Sequence, residues 1–172
     1  MPIRKTLFIS AALFLALTAC TGLSKHPAHQ KFRILASEKT LPDNFYDISF
    51  KRKTPPNFEY LVRRATTSSE FAKGWAMYGF EEKMPKPDLN QKDIFFIGVQ
   101  ESGSCPYTID EIKKSHDQKT LKVPLSKPEG MCTADATPRA FAIEIDKKLA
   151  EGVKFITVVQ SEIETHVPAE KL

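Results

Sequence analysis

Ile94-Phe95-Phe96-Ile97-Gly98-Val99 is a continuous apolar run near the middle of the chain. Its length and its content of aromatic and β-branched side chains are typical of a strand that is buried on both faces. A strand with one face in solvent would alternate apolar and polar residues instead. The run therefore predicts a central strand, and the rest of the fold is built outward from it.

Shorter segments on both sides of the central run also have strand character. Residues 121–125 and 141–145 alternate apolar and polar side chains, the pattern of a half-buried strand. Residues 155–159 follow a turn at Gly152 and form the last predicted strand. The remaining predicted strands cover residues 32–35, 58–65 and 107–112.

One helix is predicted between the second and the central strand. The tetrapeptide Thr67-Ser68-Ser69-Glu70 fits a capping box, in which the first side chain caps a backbone N–H and the fourth reaches back. Phe71, Trp75 and Tyr78 follow at spacings of four and three and make one apolar stripe. The helix is expected to end near Gly79.

The strands do not alternate with helices, which disfavours a parallel βαβ fold. The predicted fold class is mainly β, a β-rich α+β domain, either an antiparallel sandwich or a partly open barrel with one packed helix. The predicted organisation is a signal segment at residues 1–19, a tether at 20–31 and one domain at 32–172.

The first twenty residues have the layout of a secretory signal. Arg4 and Lys5 form a basic head, and residues 7–17 are almost wholly apolar but too few to span a bilayer. The segment ends in Leu17-Thr18-Ala19-Cys20, which resembles the lipobox of bacterial lipoproteins. The alternative is an ordinary secretory signal that contains a cysteine by chance.

The lipobox resemblance implies cleavage before Cys20 and attachment of lipid to its thiol. The acyl chains would hold the protein on the outer face of the cell membrane, or on the outer membrane if the envelope has two. Cleavage also removes Arg4 and Lys5, which halves the formal net charge of +4. With its lysines scattered, the chain is not expected to bind nucleic acid, and Lys147-Lys148 is interpreted as a solvated pair.

Cys105 and Cys132 remain once Cys20 is assigned to the lipid. In an exported domain two remaining cysteines indicate one disulfide bond. Reactive thiols are an alternative, but they usually occur as C-x-x-C pairs. A zinc site would need two more ligands, and none stands at a suitable spacing. The sequence therefore predicts a structural disulfide bond, and neither a metal nor another cofactor.

The features between the second strand and the last core strand follow a recognisable order. They are a strand, a helix with an aromatic residue, a proline–aspartate connection, an apolar strand, a turn leading to tyrosine and a threonine–proline element. The residues are Trp75, Pro87-Asp88, 93–99, 102–107, Thr137-Pro138 and Phe141. This order resembles the C-terminal domain of the PrcB family, lipoprotein-like subunits of a bacterial surface protease complex. The resemblance implies a non-catalytic accessory role.

The favoured function is therefore a lipid-anchored binding or accessory module for another envelope protein. Rigid loops on a scaffold are where binding residues collect, so the two loops tied by the disulfide are the candidate surface. The candidate binding residues are Ser102, Gly103, Ser104, Pro106, Tyr107, Pro138 and Arg139.

Two other functions are weighed. A small-ligand carrier could line a pocket with Phe95, Phe96, Phe141 and Tyr107. A hydrolase is disfavoured because no G-x-S-x-G, H-E-x-x-H or P-loop motif is present. The two histidines of the domain, His116 in a polar turn and His166 in the C-terminal tail, flank no such nucleophile. The chain is expected not to be an enzyme.

Overall fold

The structure is a computed structural model that describes residues 31–172. These residues form ten strands and three short helices. The strands are β1 (Phe32–Glu38), β2 (Phe50–Lys51), β3 (Glu59–Ala65), β4 (Lys92–Glu101), β5 (Lys113–Lys114), β6 (Thr120–Pro124), β7 (Thr137–Asp146), β8 (Phe155–Gln160), β9 (Ile163–Pro168) and β10 (Glu170–Lys171). The helices are α1 (Phe45–Ile48), α2 (Ser68–Met77) and α3 (Lys147–Ala150).

The strands form two sheets that pack as a sandwich. The first sheet has the order β1-β7-β4-β3-β10, and β2 also pairs with β3. The second sheet has the order β5-β6-β8-β9. Neighbouring strands are antiparallel except for the pairs β3–β10 and β6–β8. The predicted β-rich fold is confirmed, and the sandwich is the alternative that the described residues adopt.

Strand β4 lies in the middle of the first sheet and is covered on both faces, as its apolar run predicts. Phe95, Ile97 and Val99 point into the core between the two sheets. Ile94 and Phe96 point the other way, into a second core beneath α2. Because both faces of β4 are buried, its side chains are apolar at successive positions and do not alternate with polar ones, which is why the run is continuous.

Helix α2 covers the outer face of the first sheet. The predicted capping box is present, with the Thr67 hydroxyl accepting from the Glu70 N–H and the Glu70 carboxylate accepting from the Thr67 N–H. Phe71 stacks on Phe96 with ring centroids 6.0 Å apart. The Tyr78 hydroxyl donates to the Leu61 carbonyl at 3.0 Å. The aromatic stripe therefore packs as core.

Two predictions about the strands are wrong. Residues 107–112 form no strand and make one isolated bridge, between Thr108 and Ser126. They are held by their side chains instead, because Tyr107 and Ile109 are buried in the core between the sheets. Strand β8 is not the last, since β9 follows it and places His166 in a strand and not in a tail.

The connection from β8 to β9 explains why β9 is missed. Ser161 and Glu162 make the turn with φ values of 50° and 66°. Glycine or asparagine usually marks such left-handed positions in a hairpin. Neither residue type occurs here, so the sequence carries no turn signal.

The predicted signal segment, Cys20 and all of the tether except Lys31 lie outside the described residues. Within residues 31–172, none of the helices has the length and apolarity that crossing a bilayer requires.

A substitution at Gly74 tests how closely α2 approaches the first sheet. A Cβ atom at this position would overlap the Phe96 ring and come within 2.6 Å of Leu172 Cδ1. We expect Gly74→Ala to lower the free energy of unfolding by about 1–3 kcal/mol in urea denaturation, because overpacking exceeds the gain in helix propensity. Lys73→Ala, at an exposed neighbouring position, is the control. A more stable Gly74→Ala variant would show that the helix sits farther from the sheet.

Candidate functional site

Strands β4 and β7 are paired along their whole length, so the loop after β4 and the loop before β7 meet at one end of the sandwich. The predicted disulfide bond joins these loops, with the Cys105 and Cys132 Cα atoms 5.6 Å apart. We call this region, residues 101–107 and 126–139, the disulfide end. It gathers the predicted loop residues in one place.

A buried ion pair lies beneath the two loops. Arg139 Nε donates to Glu101 Oε1 at 2.8 Å, and the Glu101 side chain is fully buried. The other carboxylate oxygen accepts from the Tyr107 N–H at 2.7 Å. Glu101 therefore fixes the first loop to β7, and a pair this well bonded resists opening because either charge alone would be costly.

Asp135 joins the two loops on the exposed side. Its carboxylate accepts from the Gly103 N–H at 3.0 Å and from the Thr137 hydroxyl at 3.1 Å. The Thr133 hydroxyl also donates to it. These bonds, the Thr133 hydroxyl first, lower the pKa of Asp135 to about 2. The carboxylate is thus charged at any ordinary pH.

The serines of the first loop take part in the same network. The hydroxyls of Ser102 and Ser104 lie 2.9 and 3.1 Å from the Thr133 hydroxyl. The Thr133 N–H donates to Ser104 Oγ at 2.9 Å. Together with the disulfide, these contacts tie one loop to the other and leave little freedom for either.

A surface cleft opens beside the loops. It has a volume of about 280 Å³ and lies between the first loop and the turn from β8 to β9. Gln160, at its edge, accepts a hydrogen bond from the Tyr60 hydroxyl at 2.9 Å. Burial raises the pKa of Tyr60, so this hydroxyl remains a neutral donor. The side chains that line the cleft include Phe58, Gln100, Tyr107, Asp135, Gln160 and Ser161.

Met131 is the apolar tip of the disulfide end. Its side chain is fully exposed, more than any other large hydrophobic residue of the described chain. It stands between Gly130, whose φ of +119° turns the loop outward, and Cys132, which anchors it. Flexible, polarisable thioethers suit contacts with a partner surface, so Met131 is the apolar group that this end offers for binding.

The structure sorts the predicted binding residues into two groups. Ser102, Gly103 and Ser104 lie in the tied loops. Pro106 is exposed in the first loop and Pro138 is exposed within β7. The ring of Tyr107 and the guanidinium of Arg139 are buried, so they support the loops from below. Sequence reasoning missed Glu101, Asp135 and Met131.

The residues of the other two hypotheses lie in the cores or on the surface. Phe95, Phe141 and Tyr107 are packed in the core between the sheets, and Phe96 lies in the core beneath α2. His116 is exposed in a turn, and His166 Nδ1 lies 2.7 Å from the Thr157 hydroxyl on the second sheet. Among residues 31–172 there is no cluster of His, Cys, Asp and Glu suited to a metal ion.

Comparison with protein-family models, with curated proteins and with solved structures finds no match to this chain. The resemblance to the PrcB family and to the lipobox of lipoproteins therefore stays a prediction from the sequence.

Arg139→Met tests the buried ion pair. The substitution leaves Glu101 charged and buried, so we expect a loss of about 3–5 kcal/mol in the free energy of unfolding. The control is Lys122→Met, because Lys122 and Glu164 form an ion pair that is about half exposed and worth at most about 1 kcal/mol. Adding Glu101→Gln to Arg139→Met should recover much of the loss. If Arg139→Met and Lys122→Met lowered the free energy of unfolding equally, Arg139 and Glu101 would not form a buried ion pair.

Asp135 provides a test of the loop network through pH. The pKa of Asp135 is lower in the folded chain than in the unfolded chain. Its carboxylate therefore contributes fully to folding stability above the ordinary pKa of about 4, and this contribution is lost as the pH falls through about 2. An NMR titration of the carboxyl group should show the depressed pKa. Thr133→Val should move it upward, because the largest cause of the shift is removed. A value near 4 in the unaltered chain would mean that the network does not form in solution.

Proposed function

We propose that the protein is a lipid-anchored, non-catalytic binding module that contacts another envelope protein through its disulfide end. The observation that carries the proposal is a fully exposed methionine on a loop that is tied to its neighbour. The disulfide and the Asp135 hydrogen bonds join this loop to the first loop, which the Glu101–Arg139 pair in turn fixes to the sheet.

Rigidity favours binding because an ordered loop has little conformational entropy left to lose. Met131 is suited to fill a pocket on a partner, since methionine is enriched in protein interfaces. The polar groups around it are already bonded to one another, so they can form a rim without large desolvation. This arrangement of an apolar centre and a polar surround is typical of interfaces whose energy is concentrated in few residues.

The anchor is the second part of the proposal. Cys20 would carry the lipid, and the lipobox-like tetrapeptide supports this assignment. The resemblance to the PrcB family supports an accessory role and makes a protease complex one possible partner. The domain would then act on the outer face of the membrane that holds it.

Met131→Asp tests the binding surface. Purified residues 20–172 carrying Cys20→Ser would be crosslinked in envelope extract and the captured proteins quantified by mass spectrometry. We expect a defined partner whose recovery falls about tenfold or more with Met131→Asp, as for a central interface residue. Met84→Asp is the control, because Met84 is also exposed but belongs to the connection from α2 to β4 and not to the residues that define the disulfide end. Equal recovery with both variants would refute this surface.

Cys20→Ser tests the anchor in the full chain. We expect the unaltered protein to fractionate with membranes and to incorporate a labelled fatty acid. Cys20→Ser should abolish the labelling. A chain that is labelled equally with and without Cys20 would overturn the lipoprotein assignment.

A further inference from the structure

The end of the sandwich opposite the disulfide end is where β1 begins and β7 ends. Lys31 stands directly before β1, and its carbonyl accepts from the Asp146 N–H at 3.0 Å. Helix α3 follows Asp146, and the turn after α3 leads into β8. We call this region, residues 31, 114–119 and 146–154, the Lys31 end.

Several exposed lysines lie next to one another at the Lys31 end. Lys147 and Lys148 open α3. The turn after α3 touches the turn before β6, because a Cβ on Gly152 would lie 3.6 Å from the Gln118 carbonyl and the Lys154 N–H donates to the Lys119 carbonyl at 2.8 Å. The lysines of this surface are Lys31, Lys119, Lys147, Lys148 and Lys154.

These five lysines are not neutralised by ion pairs within the described chain. The nearby acids Asp93 and Asp146 are taken by Arg64 and Lys92. Asp117 and Glu151 are the other acids of the Lys31 end, and Asp88 lines a cleft together with Lys147 and Lys148. The five lysines outnumber these three acids, so the surface keeps an excess of positive charge.

The disulfide end differs in charge. Its exposed acids Glu129 and Asp135 stand beside the exposed Lys127, while Lys39 and Glu162 flank the loops, so this end carries no excess of positive charge. The sandwich is therefore electrically asymmetric along its strands, which the small net charge of the whole chain conceals. The lysine pair interpreted from sequence as solvated belongs to the positive end.

Lys31 also marks the end at which the proposed lipid anchor joins the domain. Ten residues separate Cys20 from Lys31, so the eleven Cα–Cα steps between them can reach at most about 40 Å. The segment that would carry the lipid therefore joins the domain at the same end that carries the lysines. This orientation rests on the proposed function.

We propose that the Lys31 end binds the anionic headgroups of a phospholipid bilayer and so turns the disulfide end away from the membrane. A lysine near an anionic bilayer raises the partition coefficient about fivefold, and the attraction decays within a Debye length. The anchor keeps the positive surface close to the bilayer but lets the domain rotate. The attraction of the lysines to the bilayer then fixes the orientation of the domain.

Vesicle flotation of residues 20–172 carrying Cys20→Ser tests the proposal without the lipid. All elements and both cores lie within residues 31–172, so this protein keeps the whole domain. We expect binding to vesicles of phosphatidylcholine and phosphatidylglycerol in equal parts, and little binding to phosphatidylcholine alone. Added salt should weaken the binding, because it screens the charges. Absence of binding at low salt would overturn the proposal.

A pair of matched variants locates the contact. Lys147→Glu with Lys148→Glu should weaken the partition at least about tenfold, since two attractive charges become repulsive. Lys39→Glu with Lys127→Glu changes the net charge equally but acts at the disulfide end, where Lys39 Nζ donates to the Gly103 carbonyl. This control should bind nearly as the unaltered protein does. Equal loss in both double variants would mean that net charge alone acts, and would refute an oriented surface.

The result is separate from the tests of the proposed function. Vesicle binding does not require lipid on Cys20 or a protein partner. Failure of fatty-acid labelling or of partner capture would leave the lysine surface intact, and failure of vesicle binding would leave the anchor and Met131 to be judged by their own experiments.

Discussion

Two buried ion pairs close the ends of the core between the sheets, and both acids belong to the central strand β4. Asp93 and Glu101 flank the buried run of β4 and point to the same side as Phe95. Each is neutralised by an arginine from a neighbouring strand, Arg64 or Arg139. A buried carboxylate without such a partner would carry a large desolvation cost.

The two pairs fix the register of the first sheet. If β4 slipped by one residue against its neighbours, both acids would turn to the opposite face and both arginines would lose their partners. Arg64 adds further contacts, since it donates to the carbonyls of Ala150 and Val153 at 3.1 Å. One pair thus holds the segment around α3, and the other holds the loops of the disulfide end. The two proposed surfaces are built on these supports.

The parts of the fold that depend on local pattern were predictable. The apolar run of β4, the capping box of α2 and the disulfide bond need only neighbouring residues or a count of cysteines. Strand β9 was missed because its turn uses Ser161 and Glu162 where glycine is expected. Residues 107–112 resemble a strand because Tyr107 and Ile109 alternate with polar residues, but apart from the Thr108–Ser126 bridge these side chains enter the core without a ladder of backbone pairs.

The residues of the two proposed surfaces could not be predicted, because their positions depend on contacts between distant parts of the sequence. Glu101 and Arg139 are 38 residues apart, and only the register of β4 and β7 brings them together. The exposure of Met131 follows from the direction of a loop, which composition does not determine. The lysines of the Lys31 end come from separate segments, so their proximity appears only once the topology is known.

The first sheet is assembled from segments that are far apart in the chain. Among the described residues 31–172, strand β1 pairs only with β7, so that Arg33 meets Glu144 across 111 residues, and β3 is completed by β10. Such non-local pairing makes folding slow, because long loops must close before these contacts form. If the chain is exported unfolded, as the proposed anchor requires, slow folding would be an advantage. Strand β1 would leave a membrane channel first and would have no partner until β7 followed, so the topology itself would delay folding until most of the domain had emerged.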